Sequence, residues 1–261
     1  MPAIKKIMNK KTALITGATS GIGLATAQLF AKNGLRLILC GRREDRMNDI
    51  ANELKNLTEV HTLLFDVRIK EDVFKSIQSL PEAYSKVDIL INNAGNAHGL
   101  DAIQNGNTED WDAMLDINVK GLLYVSKAII PKMLQQNAGH IIHIGSTAGK
   151  EVYPNGNVYC ASKFAVDAIN QGMRLDLNGT GIRVGAINPG MVKTEFSQVR
   201  FKGDTLRAEK VYQGFQPLLP EDVAEIIYFT VTRPPHVNIA DLTVMSVDQA
   251  SSTVINKKLE I

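Results

Sequence analysis

The chain has 261 residues, a net charge of +2 and 44% hydrophobic residues, enough apolar side chains for the core of a globular domain. So small a charge, with no long basic run, argues against nucleic acid or an acidic membrane surface as a partner. No apolar stretch has the length of a signal peptide or a membrane-spanning helix, so we expect a cytoplasmic protein. Without a linker or an internal repeat, residues 1–261 are predicted to form one domain.

The first predicted unit is a strand, a glycine-rich turn and a helix near the N-terminus. Residues 12–16 predict a buried strand, and the apolar pattern over 21–33 predicts a helix. Turn amides and the helix dipole favour a phosphate group, and glycine lets the backbone approach it closely. The spacing Gly-x-x-x-Gly-x-Gly differs from the general dinucleotide fingerprint, and a plain tight turn is the alternative. The turn residues predicted to hold phosphate are Gly17, Thr19, Ser20, Gly21, Ile22 and Gly23.

Short apolar strands alternate with helical patterns along the rest of the chain. This alternation predicts a parallel sheet of about seven strands with helices on both faces. Right-handed crossovers then give a single doubly wound α/β domain, the Rossmann arrangement. Further strands are predicted over 36–40, 60–65, 87–91, 139–145, 182–187 and 241–245, and further helices over 44–55, 70–79, 109–136, 156–178 and 221–231.

Two of the later strands end in polar turns. Ligands of an open parallel sheet bind beyond the carboxyl ends of its strands, so these turns are candidates for a binding site. Ordinary strand-ending turns are the alternative, because Asn, Pro and Gly are common turn residues. The residues concerned are Asn92, Asn93 and Gly95 in the first turn and Asn188, Pro189 and Gly190 in the second.

Three polar residues, Ser146, Tyr159 and Lys163, form the most informative pattern in the chain. Tyr159 and Lys163 are four residues apart, so on a helix they share a face. A phenol has a pKa of about 10, and an ammonium group beside it stabilises the phenolate and lowers that pKa. With Ser146 delivered from a preceding strand, the three side chains can move a proton on and off an alcohol oxygen. Taken alone, the Tyr-Lys pair is also compatible with a solvated helix surface.

The cysteine and histidine residues have no metal-binding or redox spacing, and no metal site is predicted. Cys40 ends an apolar strand and is interpreted as a small core residue, whereas Cys160 is interpreted as incidental to the chemistry. His140 and His143 flank a predicted strand and are interpreted as structural.

In this order along the chain, the motifs resemble those of the short-chain dehydrogenase/reductase family. The resemblance runs from about residue 10 to about residue 250, nearly the whole chain. It implies an enzyme that transfers a hydride between a nicotinamide cofactor and a small molecule. The matching residues are Thr16, Gly17, Gly21, Ile22, Gly23, Asp66, Asn92, Asn93, Ala94, Gly95, Asn118, Ser146, Tyr159, Lys163, Asn188, Pro189, Gly190 and Thr194.

The resemblance also implies how the cofactor is held. The glycine turn carries the pyrophosphate, and Asp66 with Val67 caps the adenine. Tyr159 and Lys163 also contact the cofactor, and residues 191–220 form a substrate lid over its nicotinamide end. The residues implied along the ribose are Asn92, Ala94 and Gly95, and Asn93 is implied as a further cofactor-binding residue. Those implied at the carboxamide are Pro189, Gly190, Val192 and Thr194.

The end of the second strand decides between the two nicotinamide cofactors. An Asp or Glu there would accept a hydrogen bond from a ribose 2′-hydroxyl and repel a 2′-phosphate. The strand instead ends at Cys40 and Gly41, and Arg42 and Arg43 follow. Guanidinium groups suit a phosphate dianion, so we predict NADP(H) over NAD(H). Two solvated arginines before the next helix are the alternative.

By the same resemblance, Tyr159 is the general acid in carbonyl reduction and the base in alcohol oxidation. Lys163 lowers the pKa of Tyr159 and binds the nicotinamide ribose, while Ser146 orients and polarises the substrate oxygen. The predicted long helix loosens at Asn118, where a water links Lys163 to solvent. Asn is a mediocre helix former, which is compatible with this role.

A narrower likeness concerns the substrate. Residues 144–149, 157–159, 194–204 and 220–239 resemble the NADP-dependent 3-hydroxy acid dehydrogenases. These enzymes act on serine, allo-threonine and related acids and reduce malonic semialdehyde. A small anionic substrate needs a cation in its pocket, and Arg200 is the candidate for binding its carboxylate. An arginine that pairs with a neighbouring carboxylate or faces solvent is the alternative reading of Arg200.

Three other functions stay open at this point. Sulfoacetaldehyde reductases resemble the same group, and a general carbonyl reductase would act on apolar ketones without using Arg200. A catalytically silent NADP(H)-binding regulatory protein is the alternative of another class.

The resemblance also implies a homotetramer with contacts through the long helices near 109–136 and 156–178. Residues 251–261 depart from a strand pattern and receive no role.

Overall fold

A seven-stranded sheet forms the centre of the computed structural model, which describes residues 11–258. Its strands are β1 (Thr12–Thr16), β2 (Arg36–Gly41), β3 (Val60–Leu64), β4 (Ile89–Asn92), β5 (Gly139–Ile144), β6 (Ile182–Pro189) and β7 (Asp241–Val244). They follow the order β3-β2-β1-β4-β5-β6-β7, and all neighbours are parallel. The strand order reverses between β1 and β4, which leaves a crevice beyond their carboxyl ends.

Helices cover both faces of this sheet. They are α1 (Gly21–Lys32), α2 (Glu44–Leu54), α3 (Lys70–Gln78), α4 (Thr108–Leu115), α5 (Leu122–Gln135), α6 (Asn157–Asp176), α7 (Phe196–Arg200), α8 (Thr205–Lys210) and α9 (Pro220–Val231). The predicted doubly wound α/β domain is therefore confirmed. Each predicted strand or helix outside the region 109–136 lies within about two residues of its observed bounds.

Neighbouring residues of β1 point to opposite faces of the sheet and supply two separate cores. Ile15 belongs to the core under α1 and α9, together with Phe30 and Ile227. Leu14 belongs to the core under α3 and α5, together with Ile129. Burial of one such side chain stabilises the fold by about 1.5–3 kcal/mol. Because both faces of β1 are packed, the turn that follows it starts from a rigid position.

The long helix predicted over 109–136 is interrupted. A π-helical segment, Asp116–Gly121, joins α4 to α5. Asn118 lies within this segment and is buried. The wider π turn gives up the regular α-helical hydrogen bonds at the predicted position of loosening, a feature that often accompanies functional sites.

Residues 191–220, the segment predicted to act as a substrate lid, and the C-terminal stretch both lie at the carboxyl end of the sheet. Two short helices, α7 and α8, form between residues 191 and 220, where the sequence shows only weak periodicity. The C-terminal stretch turns back, with a bridge between Gln249 and Ile255, and the Lys258 amide donates to the Gly214 carbonyl at 2.7 Å. Residues 1–10 and 259–261 lie outside the described part. Within 11–258, no helix combines the length and apolar character that crossing a membrane requires.

Candidate active site

The three polar residues predicted to act together line one cavity of about 660 Å³ at the carboxyl end of the sheet. Ser146 follows β5, whereas Tyr159 and Lys163 lie in the first two turns of α6. Lys163 Nζ is 6.0 Å from the centroid of the Tyr159 ring and donates to the Ile144 carbonyl at 2.9 Å. The Ser146 hydroxyl accepts a hydrogen bond from the Ala148 amide at 3.1 Å. Strand and helix thus bring a hydroxyl, a phenol and an ammonium group to the same place.

Burial dominates the acidity of this group. It raises the pKa of the Tyr159 phenol, although the nearby Ser146 hydroxyl and the Arg200 charge act to lower it. Burial also lowers the pKa of Lys163 to about 8. The net shift of the Tyr159 pKa is upward because loss of water around the phenolate outweighs the Ser146 hydrogen bond and the Arg200 charge. The lowering of this pKa by Lys163 stays a prediction.

Asn118 is held between the π segment and the loop after β4. Its Nδ2 donates to the Asn96 carbonyl at 2.8 Å and to Ser162 Oγ at 3.0 Å, and its Oδ1 accepts from the Asn96 amide at 2.9 Å. A Cβ added to Gly95 would lie 3.1 Å from Asn118 Oδ1 and 3.6 Å from Lys163 Nζ. The side chain of Asn118 therefore lies behind the cavity wall, close to Lys163.

The glycine turn has the shape that the sequence predicts. Gly17 and Gly21 have φ values of +65° and +53°, a backbone region that favours glycine. A Cβ at Gly23 would clash with the Gly17 carbonyl oxygen and lie 2.5 Å from Asn93 Nδ2. The turn is therefore tightly packed. The backbone at the start of α1 borders the cavity, and the amides of the first helical turn, which have no partner within the helix, can bind a phosphate.

The two asparagines that follow β4 have different surroundings. Asn93 lines the cavity, and its Nδ2 donates to the Thr16 and Gly17 carbonyls at 2.9 and 3.2 Å, so it braces the glycine turn. Asn92 is buried and donates to Ser126 Oγ at 2.8 Å. Since successive strand residues face opposite sides of a sheet, Asn92 points into the core. The expectation that Asn92 lies along the cofactor ribose is therefore wrong.

Arg42 and Arg43 both line the cavity but make different contacts. Arg42 Nη1 donates to Asp66 Oδ2 at 3.1 Å, and Arg68 donates to the same oxygen at 2.7 Å. Burial raises the pKa of Asp66, but the Arg68 hydrogen bonds and the Arg42 charge outweigh it and lower the pKa to about 2. Arg43 Nη2 donates to Ser20 Oγ at 2.8 Å and therefore lies over the glycine turn. Two guanidinium groups thus stand at the end of β2.

The cavity fits a dinucleotide in the chemistry of the residues that line it. It runs from the arginine pair, past the glycine turn, to the hydroxyl, phenol and ammonium groups. A phosphate would meet backbone amides and cations along this path. Of the predicted cofactor residues other than Asn92, Gly23 supports the turn from behind, and the rest line the cavity: Gly17, Thr19, Ser20, Gly21, Ile22, Arg42, Arg43, Asp66, Val67, Asn93, Ala94, Gly95, Tyr159, Lys163, Pro189, Gly190, Val192 and Thr194.

Arg200 reaches the site from the end of α7. Its guanidinium carbon is 5.4 Å from the Tyr159 ring centroid. Nε donates to the Gly99 carbonyl at 3.0 Å, and Nη2 donates to the Tyr153 hydroxyl at 2.9 Å. Within residues 11–258, Arg200 makes no ion pair with a carboxylate. The structure therefore brings an uncompensated cation beside the phenol.

Several residues that line the same cavity were absent from the sequence-based prediction. Gln249 is buried, and its Oε1 accepts the Met191 amide at 2.8 Å across a gap of 58 residues. Ser252 Oγ donates to Thr147 Oγ1 at 3.1 Å, so the C-terminal stretch is fastened beside Ser146. No periodicity or spacing in the sequence signals such distant contacts. Tyr153, which holds Arg200, lies in a loop without a pattern of its own.

The predicted structural roles of the cysteines and histidines agree with their burial. Cys40, Cys160, His140 and His143 are all buried. Burial lowers the pKa of both histidines to about 3, which keeps the imidazoles neutral near pH 7. Cys160 does not line the cavity, although it follows Tyr159 directly.

Comparison with known proteins identifies the family. A family model described as short chain dehydrogenase matches residues 11–205. Sulfoacetaldehyde reductase 2 of Chromohalobacter salexigens is 46% identical over 240 residues, 92% of this chain and 95% of that protein. The NADP-dependent 3-hydroxy acid dehydrogenase YdfG of Escherichia coli K12 is 44% identical over 238 residues, 91% of this chain and 95% of that protein.

A solved structure agrees with these relatives. The closed form of serine dehydrogenase complexed with NADP+ matches with a TM-score of 0.89 and 44% identity, covering 92% of this chain and 97% of that chain. The cofactor named for this structure and for the Escherichia coli relative is the one predicted from Arg42 and Arg43. The substrates named for the relatives are not the same. What they share confirms the predicted family: the chain is an oxidoreductase of the short chain dehydrogenase family.

Proposed function

We propose that this enzyme uses NADP(H) to interconvert a small 3-hydroxy acid and its carbonyl form. Serine, allo-threonine and the pair 3-hydroxypropionate and malonic semialdehyde are the candidate substrates. The observation that carries this proposal is the Arg200 guanidinium, which stands beside the Tyr159 ring without a carboxylate partner in the described chain. A carboxylate on the substrate would supply a negatively charged partner for this guanidinium.

The cofactor would be held by the glycine turn at its pyrophosphate and by Arg42 and Arg43 at its 2′-phosphate. When bound, it supplies the hydride donor or acceptor, which is chemistry that no side chain here provides. Asp66 is already neutralised by two arginines, so its charge does not oppose a nearby phosphate. The tight contact of Gly190 with Gln249 fixes the backbone after Pro189, the segment assigned to the carboxamide.

Proton transfer is assigned to Tyr159. In carbonyl reduction its phenol donates a proton to the developing alkoxide, and in the reverse direction its phenolate accepts one. The raised pKa of Tyr159 keeps the phenol protonated at neutral pH, so the protein alone is poised as an acid. We assign binding of the same substrate oxygen to Ser146 and binding of the nicotinamide ribose to Lys163. We also propose that a water molecule at Asn118 connects Lys163 with solvent.

Arg200 orients the substrate through its anionic end. Two of its nitrogens are engaged by Gly99 and Tyr153, which fixes the plane of the guanidinium. Nη1 has no protein partner in the described chain, so it is free to contact a carboxylate. Since the guanidinium carbon lies only 5.4 Å from the Tyr159 ring centroid, a substrate that contacts both groups is short.

Sulfoacetaldehyde is the second candidate substrate. The relative named for its reduction is 46% identical to this chain. A sulfonate carries the same charge as a carboxylate and would use the same guanidinium. The two candidates share the reaction and the cofactor and differ only in the anionic group.

A panel of initial rates tests this function. Oxidation of L-serine, L-allo-threonine and 3-hydroxypropionate is measured at alkaline pH with NADP+ and, separately, with NAD+. Sulfoacetaldehyde and an apolar ketone are tested for reduction with NADPH. Turnover of the acids with NADP+ supports the proposal, and exclusive turnover of sulfoacetaldehyde would move the function to the second candidate. Preference for the apolar ketone would contradict both, and NADPH binding without turnover of any compound would indicate a silent regulatory protein.

We also propose that the chain forms a homotetramer in the cytoplasm. The helices α5 and α6 expose large apolar side chains, which a subunit contact would cover: Leu123, Leu134, Phe164 and Leu175. Light scattering of the purified protein measures its mass in solution. A monomeric mass would contradict this assembly while leaving the proposed reaction untouched.

A further inference from the structure

Three charged residues form a bridge at the wall of the cavity, and of the three only Arg43 has a role in the proposed function. Glu195 Oε2 accepts a hydrogen bond from Arg43 Nη1 at 3.0 Å, and Glu195 Oε1 accepts one from Arg46 Nη1 at 2.7 Å. Arg43 and Arg46 lie at the start of α2, whereas Glu195 precedes α7 in the lid region. We call Arg43, Glu195 and Arg46 the strap, because they join segments about 150 residues apart.

The strap is closed into a ring by the glycine turn. On one side, Arg43 Nη2 donates to Ser20 Oγ at 2.8 Å. On the other, a Cβ added to Gly21 would lie 3.2 Å from Thr194 Cγ2, so the residue before Glu195 already packs on the turn. The ring therefore ties the lid to both the glycine turn and the end of β2.

The ring forms a wall of the dinucleotide cavity. Arg43 and Glu195 line that cavity, whereas Arg46 and Glu195 line a separate depression of about 420 Å³ on the outer side. Glu195 thus faces both spaces, and Arg46 faces only the outer one. A dinucleotide that extends along the cavity would therefore lie against Arg43 and Glu195.

We propose that the strap closes over the bound dinucleotide, and that Glu195 is a positioning residue that slows cofactor release. This inference rests on the proposed use of NADP(H), but not on the identity of the substrate. Paired charges at this exposure contribute little one at a time, since Glu195 and Arg46 are 39% and 50% exposed. The shared carboxylate binds two arginines, however, and losing it frees both. We expect an increase of about three- to tenfold in the rate of NADPH release, because such contacts act mainly on dissociation.

The test measures NADPH dissociation by stopped-flow fluorescence, with excess NADP+ as the competitor. Glu195→Gln removes the charge and keeps the shape of the side chain. Arg46→Gln weakens the strap from outside the cavity, without touching a residue that lines it. Both variants should release NADPH faster than wild type, and the double variant should be no faster than Glu195→Gln, because both changes break one network. Glu209→Gln, an exposed change in the lid helix α8 without an ion pair within residues 11–258, should leave the rate unchanged.

Two results would overturn the strap while leaving NADP(H) as the cofactor. One is a release rate in both variants equal to that of wild type. The other is slower release from Glu195→Gln, which would mean that Glu195 competes with the 2′-phosphate for Arg43. A wild-type protein that binds no NADPH would instead overturn the proposed cofactor, and with it the strap.

Discussion

The Arg200 guanidinium lies 5.4 Å from the centroid of the Tyr159 ring, although the two residues are supplied by different helices. Gly99 and Tyr153 hold the guanidinium from the side. Glu195 immediately precedes the short helix α7, and Arg200 ends it. One short segment therefore reaches both the Arg43 end of the cavity and the Tyr159 ring. The residue proposed to bind the anionic end of the substrate, Arg200, therefore lies beside the residue proposed to transfer the proton, Tyr159.

Replacing Tyr159 with phenylalanine removes the proposed acid and base while keeping the ring. We expect turnover to fall by at least about 10²- to 10⁴-fold, the usual contribution of general acid–base catalysis. NADPH binding, measured by fluorescence titration, should stay near that of wild type because the glycine turn is intact. Turnover close to wild type would remove Tyr159 from the mechanism.

Lys163 gives a prediction about stability and pH. Its pKa is lowered from the usual 10.5 to about 8 by burial, so between these values the unfolded chain binds more protons than the folded one. The contribution of Lys163 to stability therefore increases as pH rises from 8 to 10.5. Lys163→Met removes this titration. By thermal unfolding, the stability of wild type relative to Lys163→Met should be greater at pH 10 than at pH 7. A constant difference between the two proteins would contradict the lowered pKa.

Arg42 is predicted to select the phosphorylated cofactor. Arg42→Asp places a negative charge where the 2′-phosphate is expected. Because a charge-assisted contact is lost and repulsion is added, the KM for NADP(H) should rise by about tenfold or more. The matched control is Arg68→Asp, because Arg68 pairs with the same Asp66 carboxylate but does not line the cavity. An equal effect of both substitutions would show that Arg42 acts only through Asp66.

Two glycines on helices allow a paired test of the glycine turn. Gly23→Ala would push a methyl group against the Gly17 carbonyl and Asn93, so NADP(H) affinity should fall strongly. At Gly172 in α6, a Cβ would meet nothing within 4 Å. Gly172→Ala should therefore raise stability by about 0.5–1 kcal/mol, as helix propensity predicts, without changing affinity. Unaltered NADP(H) affinity in Gly23→Ala would contradict the tight packing of the turn.

The sequence predicts the fold well because the signals are local. The strand over 12–16, the glycine turn and the Tyr159–Lys163 spacing are each encoded within a few residues. The order of motifs along the chain then places them at the same edge of a parallel sheet. Those residues meet in the structure as the pattern requires.

Other features depend on contacts between distant segments. Asn92 was assigned to the wrong face because a turn motif does not show where the strand pairing ends. Gln249, Tyr153 and Glu195 act through partners that are far away in the sequence, so no periodicity marks them. The pKa of Tyr159 is also a property of the folded core, since burial outweighs the lowering effects of the Ser146 hydrogen bond and the Arg200 charge.

The most direct test of the central claim, recognition of the substrate's anionic group by Arg200, compares an acid with its neutral amide. The KM and kcat/KM for 3-hydroxypropionate and 3-hydroxypropionamide are measured with NADP+ in wild type, Arg200→Lys and Arg200→Ala. In Arg200→Ala, loss of a charge-assisted contact should raise the KM for the acid by about 10- to 100-fold and change the KM for the amide little. In Arg200→Lys, the KM for the acid should lie between those of wild type and Arg200→Ala. An unchanged KM for the acid in Arg200→Ala would contradict the account.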